Sequence, residues 1–76
     1  MGGVITRDSP VPPWRQIFTI IKDNIEAGEL PSGSRLPSIR GISQDYGVAM
    51  TTAQKVIEAL RDEGLVTTSP MGTFVA

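Results

Sequence analysis

The chain has 76 residues, enough for one small domain, and it contains no cysteine and no histidine. Their absence excludes disulfide frameworks, thiol nucleophiles, zinc clusters and the commonest general base, so we expect no enzyme, no cofactor and no metal site. No apolar run is long enough to cross a bilayer, and the N-terminus lacks a secretory signal, so we expect a cytoplasmic protein with no membrane partner. The formal net charge of −1 argues against a nucleic-acid-binding protein, but where the charged residues lie along the chain matters more than their sum.

The first helix is predicted to begin at a pair of prolines. Residues 1–11 contain two glycines and a proline without sustained periodicity, so we expect a flexible N-terminal arm before a single domain over residues 12–76. Pro12 and Pro13 suit a helix start because the N–H that proline lacks would be unpaired there anyway. Before Gly28, apolar residues at helical spacing form a stripe that favours the core over a base-stacking role for its aromatic members: Trp14, Ile17, Phe18, Ile21 and Ile25.

A connection and a short second helix follow. The stretch ELPSGSR is predicted to form an ordered link, held at its ends by Leu30 and Leu36. Ser38 is expected to cap a helix that runs to about Asp45, by accepting a bond from an otherwise unpaired backbone N–H. Gly41 inside this helix costs about 1 kcal/mol relative to alanine. It suggests close packing or a close approach to phosphate, with a tolerated surface glycine as the alternative.

The segment LPSIRGISQDYGVAMTTAQK is the most informative part of the chain. Gly47 separates two runs punctuated by apolar residues, and a short reversal between packed helices usually needs a residue that tolerates a left-handed backbone. We therefore predict a helix-turn-helix. The apolar stripe of its last helix turns inward: Ala53, Val56, Ile57 and Leu60. Other residues remain on or near the opposite face: Met50, Thr51, Gln54, Lys55 and Glu58. DNA is the leading partner, with the N-terminal half of this helix as the reading surface.

The acidic net charge hides a local excess of bases. Residues 31–57 contain one acid, Asp45, against three bases: Arg35, Arg40 and Lys55. The other acids precede or follow this segment. The candidate DNA face is therefore locally cationic.

The end of the chain is predicted to form a hairpin. After the third helix stops near Gly64, residues 65–68 and 73–75 are rich in strand formers, and a Ser-Pro-Met-Gly turn separates them. A hairpin directly after a helix-turn-helix is the wing of a winged helix. We expect four of its residues to close the core: Leu65, Val66, Phe74 and Val75. The predicted fold is α+β, with three helices followed by a two-stranded wing.

Four stretches occur in a characteristic order: PPWRQI, IEAGELPSGSRLPSIR, GVAMTTAQKVIEALRDEGLV and MGTFVA. Together, over residues 13–76, they resemble the N-terminal domain of GntR-family bacterial transcription regulators. The resemblance implies a winged helix that binds double-stranded operator DNA as a homodimer, with helix 49–63 in the major groove and the wing near the minor groove. Our first interpretation is therefore a sequence-specific transcriptional repressor. In such regulators a larger C-terminal domain senses the effector, so no small-molecule ligand is expected in this chain.

The resemblance also implies roles for single residues. Arg40 stands at the arginine of the family's L-P-S-x-R stretch, which contacts phosphate or a base, and Gly72 matches the second glycine of the wing tip. Thr51 and Thr52 match the paired threonines that meet phosphate at the start of the recognition helix. The full candidate DNA-binding set is Arg35, Ser38, Arg40, Ala49, Met50, Thr51, Thr52, Gln54, Lys55 and Gly72.

The chain departs from the family pattern at its reading positions. Ala49 and Met50 replace Ser or Thr followed by Arg, Gln54 replaces a common arginine, and Pro70 replaces a glycine in a wing without Lys or Arg. Guanine readout is therefore expected to be weak. Ala49 and Met50 contacting thymine methyl groups, with Gln54 bonding adenine, would favour an A·T-leaning half-site.

A second interpretation remains open from the sequence. A winged helix can also serve as a protein-interaction or architectural module, for example in recombination or plasmid control. The acidic net charge, the uncharged wing and Met50 favour this alternative, since an exposed methionine serves a protein interface as readily as a thymine methyl.

Overall fold

The computed structural model describes Ile5 and residues 10–76, and it has the predicted winged-helix architecture. The elements are α1 (Pro13–Glu26), α2 (Ile39–Tyr46), α3 (Met50–Asp62), β1 (Val66–Ser69) and β2 (Gly72–Val75). Most of the predicted N-terminal arm lies outside the described residues. Of the arm, Ile5 packs against the core, so this side chain belongs to the hydrophobic cluster.

Helix α1 begins and ends where the sequence predicts. Pro12 occupies the cap position and Pro13 the first helical position, and the chain leaves the helix just before Gly28, whose φ is 82°. Two isoleucines of its stripe are fully buried, at positions 17 and 21. Trp14 and Phe18 are half-buried against the core with their ring centroids 6.4 Å apart, which confirms their structural role.

Helix α2 has the predicted cap. The backbone N–H of Gly41 donates to Ser38 Oγ at 3.0 Å. A Cβ on Gly41 would lie 3.2 Å from the Cβ of Pro37, so close packing accounts for this glycine. The helix ends at Gly47 in the left-handed conformation, with φ 64° and ψ 39°, which confirms the predicted turn.

The turn between α2 and α3 is tied at both ends by Ser43 and Val48. The Val48 N–H donates to the Ser43 carbonyl at 3.0 Å, and Ser43 Oγ donates back to the Val48 carbonyl at 2.5 Å. This double link orients α3 so that its apolar stripe packs into the core. The stripe is the predicted one, and all its members are buried: Ala53, Val56, Ile57 and Leu60.

The hairpin is joined by the α1–α2 linker. Strands β1 and β2 pair antiparallel, with Ser69 opposite Gly72 across a two-residue loop. The linker bonds along the other edge of β2, where the Gly33 N–H donates to the Val75 carbonyl and the Leu36 N–H to the Thr73 carbonyl, both at 2.8 Å. The connection is therefore ordered, as predicted, with both its leucines packed on the core.

The prediction that Phe74 helps to close the core was wrong. Val66 and Val75 are buried opposite each other, and Leu65 packs against the cluster, but Phe74 is only half-buried. Successive strand residues alternate between faces, so Phe74 and its partner Thr67 point away from the valines. Strand β1 begins one residue later than predicted, because the Leu65 N–H still bonds the Leu60 carbonyl at the end of α3. Strand β2 begins one residue earlier, because Gly72 pairs with Ser69.

We expect Gly47→Ala to destabilise the domain by about 1–2 kcal/mol, because a Cβ is disfavoured in the left-handed conformation. Urea denaturation followed by far-UV circular dichroism measures the loss. Gly47→Asn is the matched control and should lose less, since asparagine tolerates this conformation. Equal midpoints for the wild type and the alanine variant would contradict the role assigned to the turn.

Candidate nucleic-acid interface

The N-terminal half of α3 is a solvent-facing surface. The buried stripe packs α3 against the core, so the side chains between the stripe positions project into solvent. Met50 is 49% exposed, and Thr52 is the one predicted contact of this helix that is half-buried. The remaining predicted contacts here are all exposed: Ala49, Thr51, Gln54 and Lys55.

The first turn of α3 offers unclaimed hydrogen-bond donors. Ala49 occupies the cap position with an extended backbone and no side-chain cap bond, and the turn contains no acidic residue. The first N–H groups of a helix have no partner within the helix, and the helix dipole adds partial positive charge there. With the hydroxyls of Thr51 and Thr52 alongside, this terminus is suited to an anionic oxygen such as that of a phosphate.

Two arginines add positive charge outside α3. Arg35 lies in the linker and Arg40 in the first turn of α2, and both side chains are exposed. In the part of the chain that the structure describes, a salt bridge joins Lys22 to Glu63 at 3.4 Å, and no described carboxylate pairs with Arg35 or Arg40. Their charges are therefore not neutralised within the described fold.

Lys55 has a different environment from the arginines. Its Nζ lies 4.7 Å from the ring centroid of Trp14, a cation–π contact that turns the side chain toward α1. The contact of Lys55 with DNA remains a prediction. To reach DNA, the Lys55 side chain would have to leave the Trp14 ring. No sequence pattern indicates this contact with Trp14, because it joins two helices that are distant along the chain.

Gln54 is paired along the exposed face of α3. Its Nε2 donates to Glu58 Oε2 at 3.3 Å, one helical turn further on. An amide nitrogen carries two hydrogens, so the second hydrogen and Oε1 remain available as a donor and an acceptor side by side. These two groups complement adenine in the major groove, where N7 accepts a hydrogen bond and the N6 amino group donates one. The i to i+4 spacing was the signal that identifies Glu58 as the partner.

The wing has an exposed apolar tip with a fixed shape. Met71 is 77% exposed. Ser69 Oγ accepts from the Met71 N–H at 3.3 Å and donates to the Gly72 carbonyl at 3.2 Å. Gly72 has φ 133°, and the guanidinium of Arg35 lies against it. Sequence reasoning named Arg35 and Gly72 separately, and the structure brings them together.

The described titratable groups include one with a shifted pKa. Burial raises the pKa of the Tyr46 phenol above its ordinary value of 10.0, and the neighbouring Asp45 carboxylate raises it further. The phenol is therefore neutral throughout the physiological range. It packs at the end of α2 as part of the core and adds no charge to the candidate interface.

Comparison with known proteins identifies the family. A family model described as "Bacterial regulatory proteins, gntR family" matches residues 13–75. The chain belongs to the GntR family. This confirms the resemblance of the sequence motifs, and it makes the chain a DNA-binding transcription regulator domain rather than an enzyme. None of the helices that the structure describes is long and apolar enough to cross a membrane.

Relatives and solved structures agree with this assignment. The chain is 36% identical over 64 residues to the HTH-type transcriptional regulator YjiR of Escherichia coli, covering 83% of this chain and 14% of that protein. It is 34% identical over 73 residues to the HTH-type transcriptional repressor NagR of Bacillus subtilis, covering 95% of this chain and 30% of that protein. The chain thus spans a small part of these GntR-family relatives.

Two solved structures show the same fold. YtrA of Sulfolobus acidocaldarius, a GntR-family transcription factor, is 37% identical with a TM-score of 0.88, covering 93% of this chain and 76% of that chain. The DNA-binding domain of AraR in complex with operator ORX1 is 27% identical with a TM-score of 0.89, covering 99% of this chain and 96% of that chain. Winged-helix GntR domains are therefore the structural neighbours.

We expect Ala49→Ser to stabilise the domain by about 1 kcal/mol, because a serine hydroxyl would accept a bond from an unpaired N–H in the first turn of α3. Ser38→Ala should cost a similar amount, because it removes the cap of α2. For a domain of this size each change corresponds to about 4–8 °C in the thermal midpoint, measured by circular dichroism. An Ala49→Ser variant no more stable than the wild type would show that these N–H groups already have partners.

Proposed function

We propose that the chain reads a specific operator sequence in double-stranded DNA as the DNA-binding part of a transcriptional repressor. Helix α3 enters the major groove and the wing lies near the minor groove. The observation that carries this proposal is the exposed, uncapped N-terminal half of α3 in a fold whose Arg35 and Arg40 are unpaired among the described residues. The structurally similar AraR domain in complex with an operator supports operator binding, and the similarity to the transcriptional repressor NagR supports repression.

The readout follows from the side chains that α3 presents. Ala49 and Met50 offer apolar surface for thymine methyl groups, and Gln54 offers a donor and an acceptor for adenine. Thr51, Thr52 and Arg40 provide phosphate contacts that fix the position of the helix. An A·T-leaning half-site is the expected target. The hydrogen bond from Gln54 to Glu58 restricts the Gln54 side chain, so fewer conformations are lost when the amide binds a base.

Binding as a homodimer on two half-sites completes the proposal. One copy supplies only about three or four phosphate contacts and a short reading surface. Specific complexes typically reach about 10⁻⁸ M, which two linked half-sites attain more readily than one. The proposed setting is the bacterial cytoplasm, and the ligand of this part is DNA alone.

A protein partner is the second candidate function. Met50 and Met71 are large apolar side chains that are exposed on the helix and on the wing, and methionine adapts well to protein surfaces. The cations favour DNA over a protein partner, because no described carboxylate neutralises Arg35 or Arg40 and a phosphate backbone would compensate their charges.

We expect Arg40→Ala to weaken binding to a selected duplex and to reduce the magnitude of the slope of log K against log salt concentration by about one, the contribution of one phosphate contact. Lys55→Ala should change the slope less, since Lys55 lies over Trp14. Fluorescence anisotropy of a labelled duplex at several salt concentrations measures both.

Arg61→Ala is the matched control for this experiment. Arg61 is exposed in the last turn of α3, so its loss changes the net charge equally but should leave the slope close to that of the wild type. Equal slope changes in the Arg40 and Arg61 variants would mean that only net charge matters. No binding to any duplex by the wild type would favour the protein-partner function.

A further inference from the structure

We infer that Arg35 is the wing's DNA-reading cation, and that it recognises A·T-rich minor groove beside the half-site. This inference rests on the proposed function and extends it to a second stretch of DNA. The wing itself, residues 66–75, contains no charged residue. The charge comes from the linker between α1 and α2, a segment distant from the wing in sequence.

Backbone pairing places Arg35 beside β2. Arg35 forms an antiparallel bridge with Phe74, and the next residue, Leu36, bonds the Thr73 carbonyl at 2.8 Å. Residues directly opposite each other in an antiparallel pair share a face of the sheet. Arg35 therefore lies on the face of Phe74, which is also the face of Gly72 because strand residues alternate.

The side chain of Arg35 then extends diagonally to Gly72. A Cβ built on Gly72 would lie 3.0 Å from Nε, 3.3 Å from Nη2 and 3.4 Å from Cζ of Arg35. The missing side chain of Gly72 thus leaves the space in which the guanidinium rests. This position adjoins the loop whose shape Ser69 fixes through its bonds to Met71 and Gly72. The cation is held at the wing tip without being part of the wing.

The charge of Arg35 is available for DNA. Its side chain is exposed, and no carboxylate of the described residues pairs with it. Met71, in the loop at this tip, is apolar and highly exposed. A cation together with an exposed apolar side chain is a combination that minor-groove binders use, with the cation reading the groove and the apolar side chain inserted between base steps.

The minor groove of A·T-rich DNA suits such a cation. It is narrow, which strengthens its negative potential and attracts arginine. A G·C pair adds the guanine N2 amino group, which projects into the groove. Arginine is less strongly hydrated than lysine and presents a planar fork of donors, so Arg35→Lys keeps the charge but loses the geometry.

The test uses one selected half-site with short flanks of three kinds: A·T, G·C, or inosine·C. Inosine·C has the major-groove pattern of G·C but lacks the amino group in the minor groove. We expect the wild type to bind A·T and inosine·C flanks about fivefold more tightly than G·C flanks, the lower range of discrimination at one base pair. Fluorescence anisotropy measures each affinity.

Substitutions then assign the preference to the Arg35 side chain. Arg35→Lys and Gly72→Ala should both bring the ratio between A·T and G·C flanks close to one, the alanine by displacing the guanidinium. Arg61→Ala should keep the ratio of the wild type. Gly72→Ala places a side chain on a backbone with φ 133°, so the folding of this variant is checked by thermal unfolding. If the alanine variant does not fold, Arg35→Lys alone provides the test.

A double variant separates a direct effect of Gly72 from one through Arg35. Adding Gly72→Ala to Arg35→Ala should change the flank ratio no further. The inference is overturned if the wild type binds its half-site with no flank preference, if Arg35→Lys keeps the preference, or if inosine·C binds as weakly as G·C. Failure to bind any duplex would instead overturn the proposed function itself, and this inference with it.

Discussion

Backbone pairing between the α1–α2 linker and β2 is the constraint on which the candidate interface depends. Three hydrogen bonds of 2.8 Å join residues 33–36 to residues 73–75. They fix the wing against the segment that leads into α2, so Ser38 and Arg40 at the start of that helix and Arg35 before it are placed relative to the wing tip. Without this pairing an isolated two-stranded hairpin would be only marginally stable.

The distribution of charged residues explains how a chain of net charge −1 can bind a polyanion such as DNA. The acidic side chains lie mainly on α1, its C-terminal end and the second half of α3, and the bases of the linker and α2 carry no described partner. Phosphate contacts act locally, because charges farther apart than a Debye length of about 8 Å are largely screened. On the proposed function, Arg35 and Arg40 therefore contribute more to DNA binding than the net charge of the chain does.

The sequence predicted the features that local chemistry decides. Gly47 at the turn, Ser38 at the cap, Pro13 at the helix start and the buried stripe of α3 all follow from backbone preferences or from helical periodicity. The GntR resemblance was confirmed by the family model. Apart from that resemblance, each of these signals lies within a single element or turn, so no knowledge of the tertiary structure is needed to interpret it.

The contacts between distant segments were not predictable in this way. The sequence has no signal that pairs Arg35 with Gly72 or places Lys55 over Trp14, because each contact depends on how the linker and helices pack. Phe74 was predicted to close the core together with the other apolar residues of the wing. Its true orientation depends on which strand residue pairs with buried Val66, and the register of the hairpin decides that.

Selection of random duplex DNA by the purified chain, at near-physiological salt, tests the central claim most directly. The account predicts enrichment of an A·T-leaning half-site, repeated with inverted symmetry if two copies bind together. Repeating the selection with Gln54→Ala should relax the preference at one base pair. No enriched sequence, or G·C at the position that responds to Gln54→Ala, would contradict the account.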